Sequence, residues 1–318
     1  MIIFLTTRGN HNTMRKIASD IGRSVFKCRD YGWLLSKKHV PAATYIFSDM
    51  ERLSTKELQA VAAIYKCLER SGARVLNDPA KVKVRYALLH HLHEKGLNPF
   101  QCYHADTRPK PKRFPVFARN DNDHAAPLSD LLASQDELDR FLDDMIDRGI
   151  PLNGVLITEF CARPIREGAY KKHSVFRVAN AYLSHPPVAQ DHWCVKYGTP
   201  NFQNDEQLDE SIAEMRDNPF ADAMIPYFET AQIDFGRSDF GLTDEGIALY
   251  EINTNPDIKV VRKHRYPPLV AAVEESYSRI LEAIRGLDSS SGPPIEISIP
   301  QKRVWRFEHP FRRRLRTH

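Results

Sequence analysis

Around Thr243 the chain alternates two short apolar runs with one polar break: Phe240-Gly241-Leu242, then Thr243-Asp244-Glu245-Gly246, then Ile247-Ala248-Leu249-Tyr250. Strand formers on both sides of a short turn containing glycine predict an antiparallel β-hairpin. The hairpin constrains its flanks as well. Asp239 falls near one end of the first strand, and Glu251 and Asn253 fall at the paired end of the second. Side chains two apart on a strand share a face, so Glu251 and Asn253 point the same way. Two carboxylates and an amide oxygen gathered at one strand end are hard donors of the kind Mg2+ takes, with its remaining coordination left to water and phosphate oxygens. A lone Glu-x-Asn on a solvated hairpin face is the bland alternative. Asp239 at its spacing and the continuation Thr254-Asn255-Pro256 favour the metal reading.

The chain upstream reads as α/β. Met1–Thr6 and Ala43–Ser48 are strand-like. Ser54-Thr55-Lys56-Glu57 opens a helix with Leu58, Val61, Ala62, Tyr65 and Leu68 at helical spacing, and Ala73–Leu76 is a further strand. Strand–helix–strand order predicts a small parallel-sheet domain over residues 1–79. Helices are expected at Lys81–Lys95, Asp136–Arg148, Asn204–Asn218 and Pro267–Gly286. Strands are expected at Phe114–Arg119, Val155–Phe160, Ser174–Tyr182, Asp191–Lys196 and Ile295–Ile299. Ser289-Ser290-Ser291-Gly292-Pro293-Pro294 reads as a linker.

Composition removes several function classes. No run approaches the ~18 apolar residues that span a bilayer, and Met1-Ile2-Ile3-Phe4-Leu5 lacks the basic start of a signal peptide. Five scattered cysteines without a CxxC pair argue against a disulfide framework or a zinc site, so a reducing cytoplasm is expected. The net charge of +4 is a property of the tail: from Gln301 onward seven Lys or Arg face one acid, Glu308. The body is therefore nearly neutral and nucleic-acid binding by it is not expected. The tail, with Arg312-Arg313-Arg314 and Arg316 beside Trp305, Phe307 and Phe311, reads as a solvated terminus. An RNA-binding tail is the other reading. Gly-x-Ser-x-Gly, Walker A and Gly-x-Gly-x-x-Gly motifs do not occur.

Asp239 followed by Glu251-Ile252-Asn253-Thr254-Asn255-Pro256 resembles the ATP-grasp superfamily, whose members include glutathione synthetase and ribosomal-protein glutamate ligases. The likeness runs from about Ala73 to Ile258. It implies an ATP-grasp fold behind the N-terminal domain, with a first subdomain over 80–154, a second carrying the metal site over 155–287, and a linker and basic tail over 288–318. It also implies ATP and Mg2+ as cofactors, with the metal on Asp239, Glu251 and Asn253. Arg85 and Arg119 (in Pro115-Val116-Phe117-Ala118-Arg119) stand where the family carries phosphate-binding lysines. Asn120-Asp121-Asn122-Asp123-His124 replaces the usual glycine-rich flap. Glu159 falls at the hinge that meets adenine, Glu167 is a ribose candidate, and Arg177 and Lys196 take the places of catalytic basic residues. The activity implied is ATP-dependent joining of a small-molecule or peptide carboxylate to an amine (or a thiol) through an acyl phosphate. The substrates and oligomeric state are not specified. A non-catalytic nucleotide- or peptide-binding protein on the same fold is the alternative.

Overall fold

The computed structural model describes residues 1–298, apart from residues 124, 197, 200, 201, 259 and 289–291. The expectations for His124, the serine linker, Ile299 and the arginine-rich tail lie outside the described residues.

Strand β1 (Ile2–Thr6) is buried at every residue, as a strand covered on both faces must be. It is followed by α1 (Arg15–Ile21), β2 (Phe26–Asp30), α2 (Tyr31–Ser36), β3 (His39–Val40), β4 (Thr44–Phe47), α3 (Thr55–Arg70) and β5 (Val75–Leu76). These build a four-stranded parallel sheet in the order β2-β1-β4-β5. Ile3, Leu5, Tyr45 and Phe47 face α2 and α3. On the other side, Ile2, Phe4 and Ile46 meet Ile17 of α1 and aromatics of the central sheet. Ser54 and Glu57 close a reciprocal capping box that starts α3, satisfying two orphan N–H groups of its first turn.

Next come α4 (Arg85–Glu94), β6 (Cys102–His104), β7 (Val116–Asn120), α5 (Gln135–Asp147) and β8 (Val155–Glu159). The three strands form an antiparallel sheet ordered β6-β8-β7, with Leu138, Leu142 and Met145 of α5 packed on it. Helix α4 begins at Arg85 rather than Lys81, because the Lys83 N–H leaves the helical path to bond the Ala231 carbonyl at 3.0 Å.

The remainder holds β9 (Tyr170–Val178), β10 (Ala181–Gln190), α6 (Asp205–Asp217), α7 (Ala221–Ala231), β11 (Phe235–Thr243), β12 (Gly246–Asn253), α8 (Pro267–Arg285) and β13 (Ile295–Glu296). The central antiparallel sheet is ordered β10-β9-β11-β12. Leu88 and Leu92 of α4 and Met224 and Phe228 of α7 cover one face. The single strand expected over Ser174–Tyr182 is instead a turn between two strands. Ala179 adopts φ 53° there, and Arg177 Nε donates to its carbonyl at 2.8 Å. Asp191–Lys196 is not a strand either: the N–H groups of Lys196 and Gly198 donate to Gln190 Oε1 at 3.1 and 3.3 Å, so a side chain takes the place of a ladder. The last strand is Ile295–Glu296 paired with β3.

Candidate active site

The β11–β12 hairpin turns where expected, with Thr243 opposite Gly246. Its register then changes. Phe240 pairs with Leu249, whereas Asp239 pairs with Glu251, so Tyr250 is the extra residue of a bulge. This bulge makes the site. Continued without it, the pairing would set Asp239 opposite Tyr250 and turn Glu251 and Asn253 to the other face. With it, Asp239 and Glu251 are directly opposed and share a face, and Asn253, opposite Arg237, shares it too. The bulged Tyr250 crosses Gly241, where a Cβ would collide with its hydroxyl.

The row continues across the sheet: Asp239 pairs with Ser174 of β9, and Ser174 with His185 of β10. Asp239 is 3% exposed. Its Oδ1 accepts from Ser174 Oγ (2.9 Å) and Arg237 Nε (2.8 Å), and its Oδ2 from Lys172 Nζ (3.0 Å) and Arg237 Nη2 (3.1 Å). Burial works to raise the Asp239 pKa, but Arg237 and Lys172 outweigh it and hold the carboxyl at about 2. Burial, reinforced by Arg237, pushes the His185 imidazole down to about 3, so the ring is neutral. Glu251 Oε2 receives Arg85 Nη2 at 2.5 Å, with Arg119 Nη2 at 3.6 Å. Burial first, and then the adjacent Arg85, lower the Arg119 guanidinium from its ordinary value. Asn253 Oδ1 accepts the Asn255 N–H at 2.8 Å.

Asp239 and Glu251 form one wall of a cleft. Arg119, Lys171, Lys172 and Lys196 supply cationic lining, and Phe117, Phe160, Tyr170, Trp193 and Tyr250 supply aromatic lining. Trp193 stands with its ring centroid 5.0 Å from Phe117 and 5.6 Å from Phe160. Asn253 and Arg85 line a smaller adjoining cavity that shares Glu251.

Three residues singled out in the sequence stand elsewhere. Arg177 is three residues from Ser174 on β9, an odd spacing that puts it on the opposite face. There it donates to the carbonyls of Ala179 and Ile233, both at 2.8 Å, and pairs with Asp234 at 3.4 Å. Glu159 is turned into the protein, where its carboxylate accepts the N–H groups of Gln101, Lys112 and Arg113 and the Tyr103 hydroxyl; it staples the loop before β7 and does not line the cleft. Glu167 is exposed in a tight turn between Arg166 and Ala169. Arg85 reaches the site chiefly as the partner of Glu251, and its other nitrogen donates to the carbonyls of Asn120 and Asp121.

Lys172, Arg237 and Trp193 were not singled out. Arg237 had a signal: two residues before Asp239 on one strand, it must share its face. Lys172 and Trp193 had none, because their nearness to the site depends on sheet order and on a loop path.

Among the described residues no group of three or more His, Cys, Asp or Glu side chains gathers. The oxygen set of Asp239, Glu251 and Asn253 suits a hard divalent ion in kind. Both Asp239 oxygens accept from Arg237 and one of them also from Lys172, while Glu251 Oε2 accepts from Arg85 with Arg119 3.6 Å away, so protein cations stand where a metal charge would stand. The aromatic wall beside cationic side chains suits a base joined to phosphates in the same way.

No protein-family model matches the chain, and a comparison with curated proteins finds no match. Solved structures do match. The D-Ala:D-Ser ligase VanG of Enterococcus faecalis aligns with TM-score 0.50 and 12% identity, over 90% of this chain and 98% of its own. A RimK-domain ATP-grasp protein of Sphaerobacter thermophilus aligns with TM-score 0.46 and 14% identity, over 91% and 99%. With its central antiparallel sheet, its smaller antiparallel sheet across the cleft and its leading parallel sheet, the chain has the ATP-grasp fold, at 12% sequence identity to the ligase structure it aligns with.

Proposed function

We propose that the protein is an ATP- and Mg2+-dependent ligase that joins a carboxylate to an amine through an acyl phosphate. The observation that carries this reading is the direct opposition of Asp239 and Glu251 on the wall of a cleft whose remaining lining is cationic and aromatic. The name of VanG, a D-Ala:D-Ser ligase, supports it as an analogy of fold.

In this reading residues 1–79 form the leading domain, 80–154 the first ATP-grasp subdomain and 155–287 the second, with the cleft between the last two. Phe117, Phe160 and Trp193 sandwich the base. Arg119, Lys196 and Lys172 bear on the phosphates, and Arg85 orients Glu251. Asp239, Glu251 and Asn253 would hold magnesium, which would supply charge neutralisation to the triphosphate. A substrate carboxylate oxygen bonds to the γ-phosphorus as the bond to the β-phosphate bridge breaks, and ADP leaves. An amine nitrogen then bonds to the acyl carbon as the acyl phosphate C–O bond breaks, releasing phosphate and a proton. Arg237 holds Asp239 in place through two bonds to its carboxylate. Arg177, Glu159 and Glu167 have no part in these steps.

The second reading, a nucleotide-binding protein without ligase chemistry, draws on one feature: arginines and lysines already occupy the carboxylate oxygens. Calorimetry and product assay separate the two. The ligase reading expects Mg2+-dependent ATP binding, weakened about tenfold or more in Glu251→Gln. It also expects ADP release with at least one pair from a panel of carboxylates and amines. Binding without ADP release across the panel, with or without Mg2+ dependence, establishes the second reading, and absence of ATP binding both with and without Mg2+ removes both.

A further inference from the structure

Beyond Asn253 the chain leaves the central sheet and runs into the first domain, where Thr254 and Asn255 are each 6% exposed. The Asn255 side chain is gripped from all sides. Its Nδ2 is shared among the Asn10 carbonyl (2.9 Å), Asp49 Oδ2 (3.1 Å) and Thr6 Oγ1 (3.2 Å), and its Oδ1 accepts from Thr13 Oγ1 at 2.5 Å. Thr6 ends β1 and Asp49 follows β4, so the carboxyl ends of two adjacent parallel strands hold this amide.

Asp49 is itself unusual. It is 2% exposed and adopts the left-handed conformation with φ 54°, which costs a residue with a Cβ on the order of 1 kcal/mol or more unless its surroundings impose it. Here its carboxylate accepts from the Thr6 hydroxyl and from the N–H and hydroxyl of Thr7. Its own N–H donates to Thr254 Oγ1 at 3.1 Å. Two adjacent residues of the segment are thus tied to one residue of the first domain.

The tie reaches the active-site face through one bond: the Asn255 N–H donates to Asn253 Oδ1 at 2.8 Å. That bond takes one lone pair of the amide oxygen and fixes the direction of the other. The backbone position of residue 255 is set by its anchored side chain, so the first domain sets the aim of Asn253. Through this geometry we infer that Asp49 and Asn255 are positioning residues for the metal-binding end of the site, coupling the parallel sheet to the Asn253 amide. The inference rests on the proposed role of Asn253.

The test uses the full chain, a non-hydrolysable ATP analogue and Mg2+ as the probe, with affinities from calorimetry and thermal melting recorded in parallel. In Asn255→Asp the donors to Asp49 are lost and two carboxylates face one another. Asp49→Asn together with Asn255→Asp restores one donor and one acceptor with their places exchanged. Asn255→Asp is expected to weaken Mg2+-dependent analogue binding about tenfold, with Mg2+-free binding changed less than about twofold, and the exchange variant is expected to recover most of the loss. Thr13→Val, which removes from a part-exposed site the bond to Asn255 and a longer one to the Asn10 carbonyl (3.3 Å), serves if Asn255→Asp does not fold; it is expected to weaken Mg2+-dependent analogue binding about threefold. A lower melting temperature with unchanged Mg2+ dependence in these variants overturns the inference and leaves a purely structural clamp. A wild-type protein whose analogue binding ignores Mg2+ overturns instead the metal role of Asn253 on which the inference stands.

Discussion

The two sheets that meet where Phe4 packs on Phe235, ring centroids 5.8 Å apart, with Phe176 beside Phe235 on the central sheet, hold themselves together by different means. The parallel sheet is apolar on both faces of its central strands β1 and β4, which are buried at every residue because little on them resists burial. The central sheet is apolar on one face, where Val175, Phe240 and Leu249 meet α4 and α7. Its other face is mixed: Phe176 and Phe235 pack against the parallel sheet, and beside them the buried Asp239 meets the part-buried Arg237 and Lys172, charges held there by their mutual pairing. The first sheet can lose a side chain and suffer a cavity. In the second, a lost side chain leaves an uncompensated ion.

The sharpest break of this comparison is Asp239→Ala, which strands Arg237 and Lys172 without their shared acid; a loss of about 3–5 kcal/mol in denaturant unfolding is expected. A loss below about 1 kcal/mol would mean that the two cations find solvent. Leu5→Ala, in the apolar sheet, is expected to cost about 3 kcal/mol through its cavity and to leave Mg2+-dependent nucleotide binding unchanged. Parallel loss of that binding would show that the coupling of the two sheets reaches beyond the Asp49–Asn255 tie into the apolar core.

Two groups of the charged face make stability depend on pH. The His185 pKa falls from 6.5 to about 3 on folding. Above 6.5 the ring is neutral in both states and contributes nothing. As pH falls from 6.5 towards 3, only the unfolded chain binds the proton, so stability declines by up to about 1.4 kcal/mol per pH unit. Asp239, lowered from 3.8 to about 2, acts in a separate window: its contribution is present above 3.8 and is lost as pH drops towards 2. His185→Phe is expected to remove the upper slope and keep the lower one, read from unfolding free energies between pH 7 and 2. An unchanged upper slope assigns the acid sensitivity to other groups.

The smallest effect sharpens the contrast between the faces of one sheet. Arg177→Ala is expected to cost about 1 kcal/mol of stability and to shift nucleotide affinity less than about twofold, whereas Arg119→Ala should weaken that affinity about tenfold. Equal losses would bring Arg177 back into the site.

Much of the fold was legible. The apolar run of β1 and the Ser54–Glu57 capping box behaved as their local chemistry requires. Helix α7 was not legible, because Pro226 sits inside it and reads as a breaker; packing of Met224, Tyr227, Phe228 and Ala231 overrides that preference. Strand β2 was missed for another reason: of Phe26-Lys27-Cys28-Arg29-Asp30 only Phe26 is buried, so no apolar run announced it. Glu159 illustrates the limit for the site. Its position along a strand was visible, but the direction of its carboxylate was set by the loop of Lys112 and Arg113, far enough along the chain to leave no trace in spacing.

By itself the sequence determined the hairpin, its turn at Asp244-Glu245 and the presence of Asp239, Glu251 and Asn253 near one end of it, because turn chemistry and apolar alternation act between near neighbours. Only the tertiary structure decided that these three share a face. That outcome depends on a one-residue bulge at Tyr250, held where its ring crosses Gly241, and a register shift of one residue exchanges the two faces of a strand. It also decided which cations attend the carboxylates, since Lys172, Arg85 and Arg119 arrive from other strands and a helix whose order no local pattern encodes.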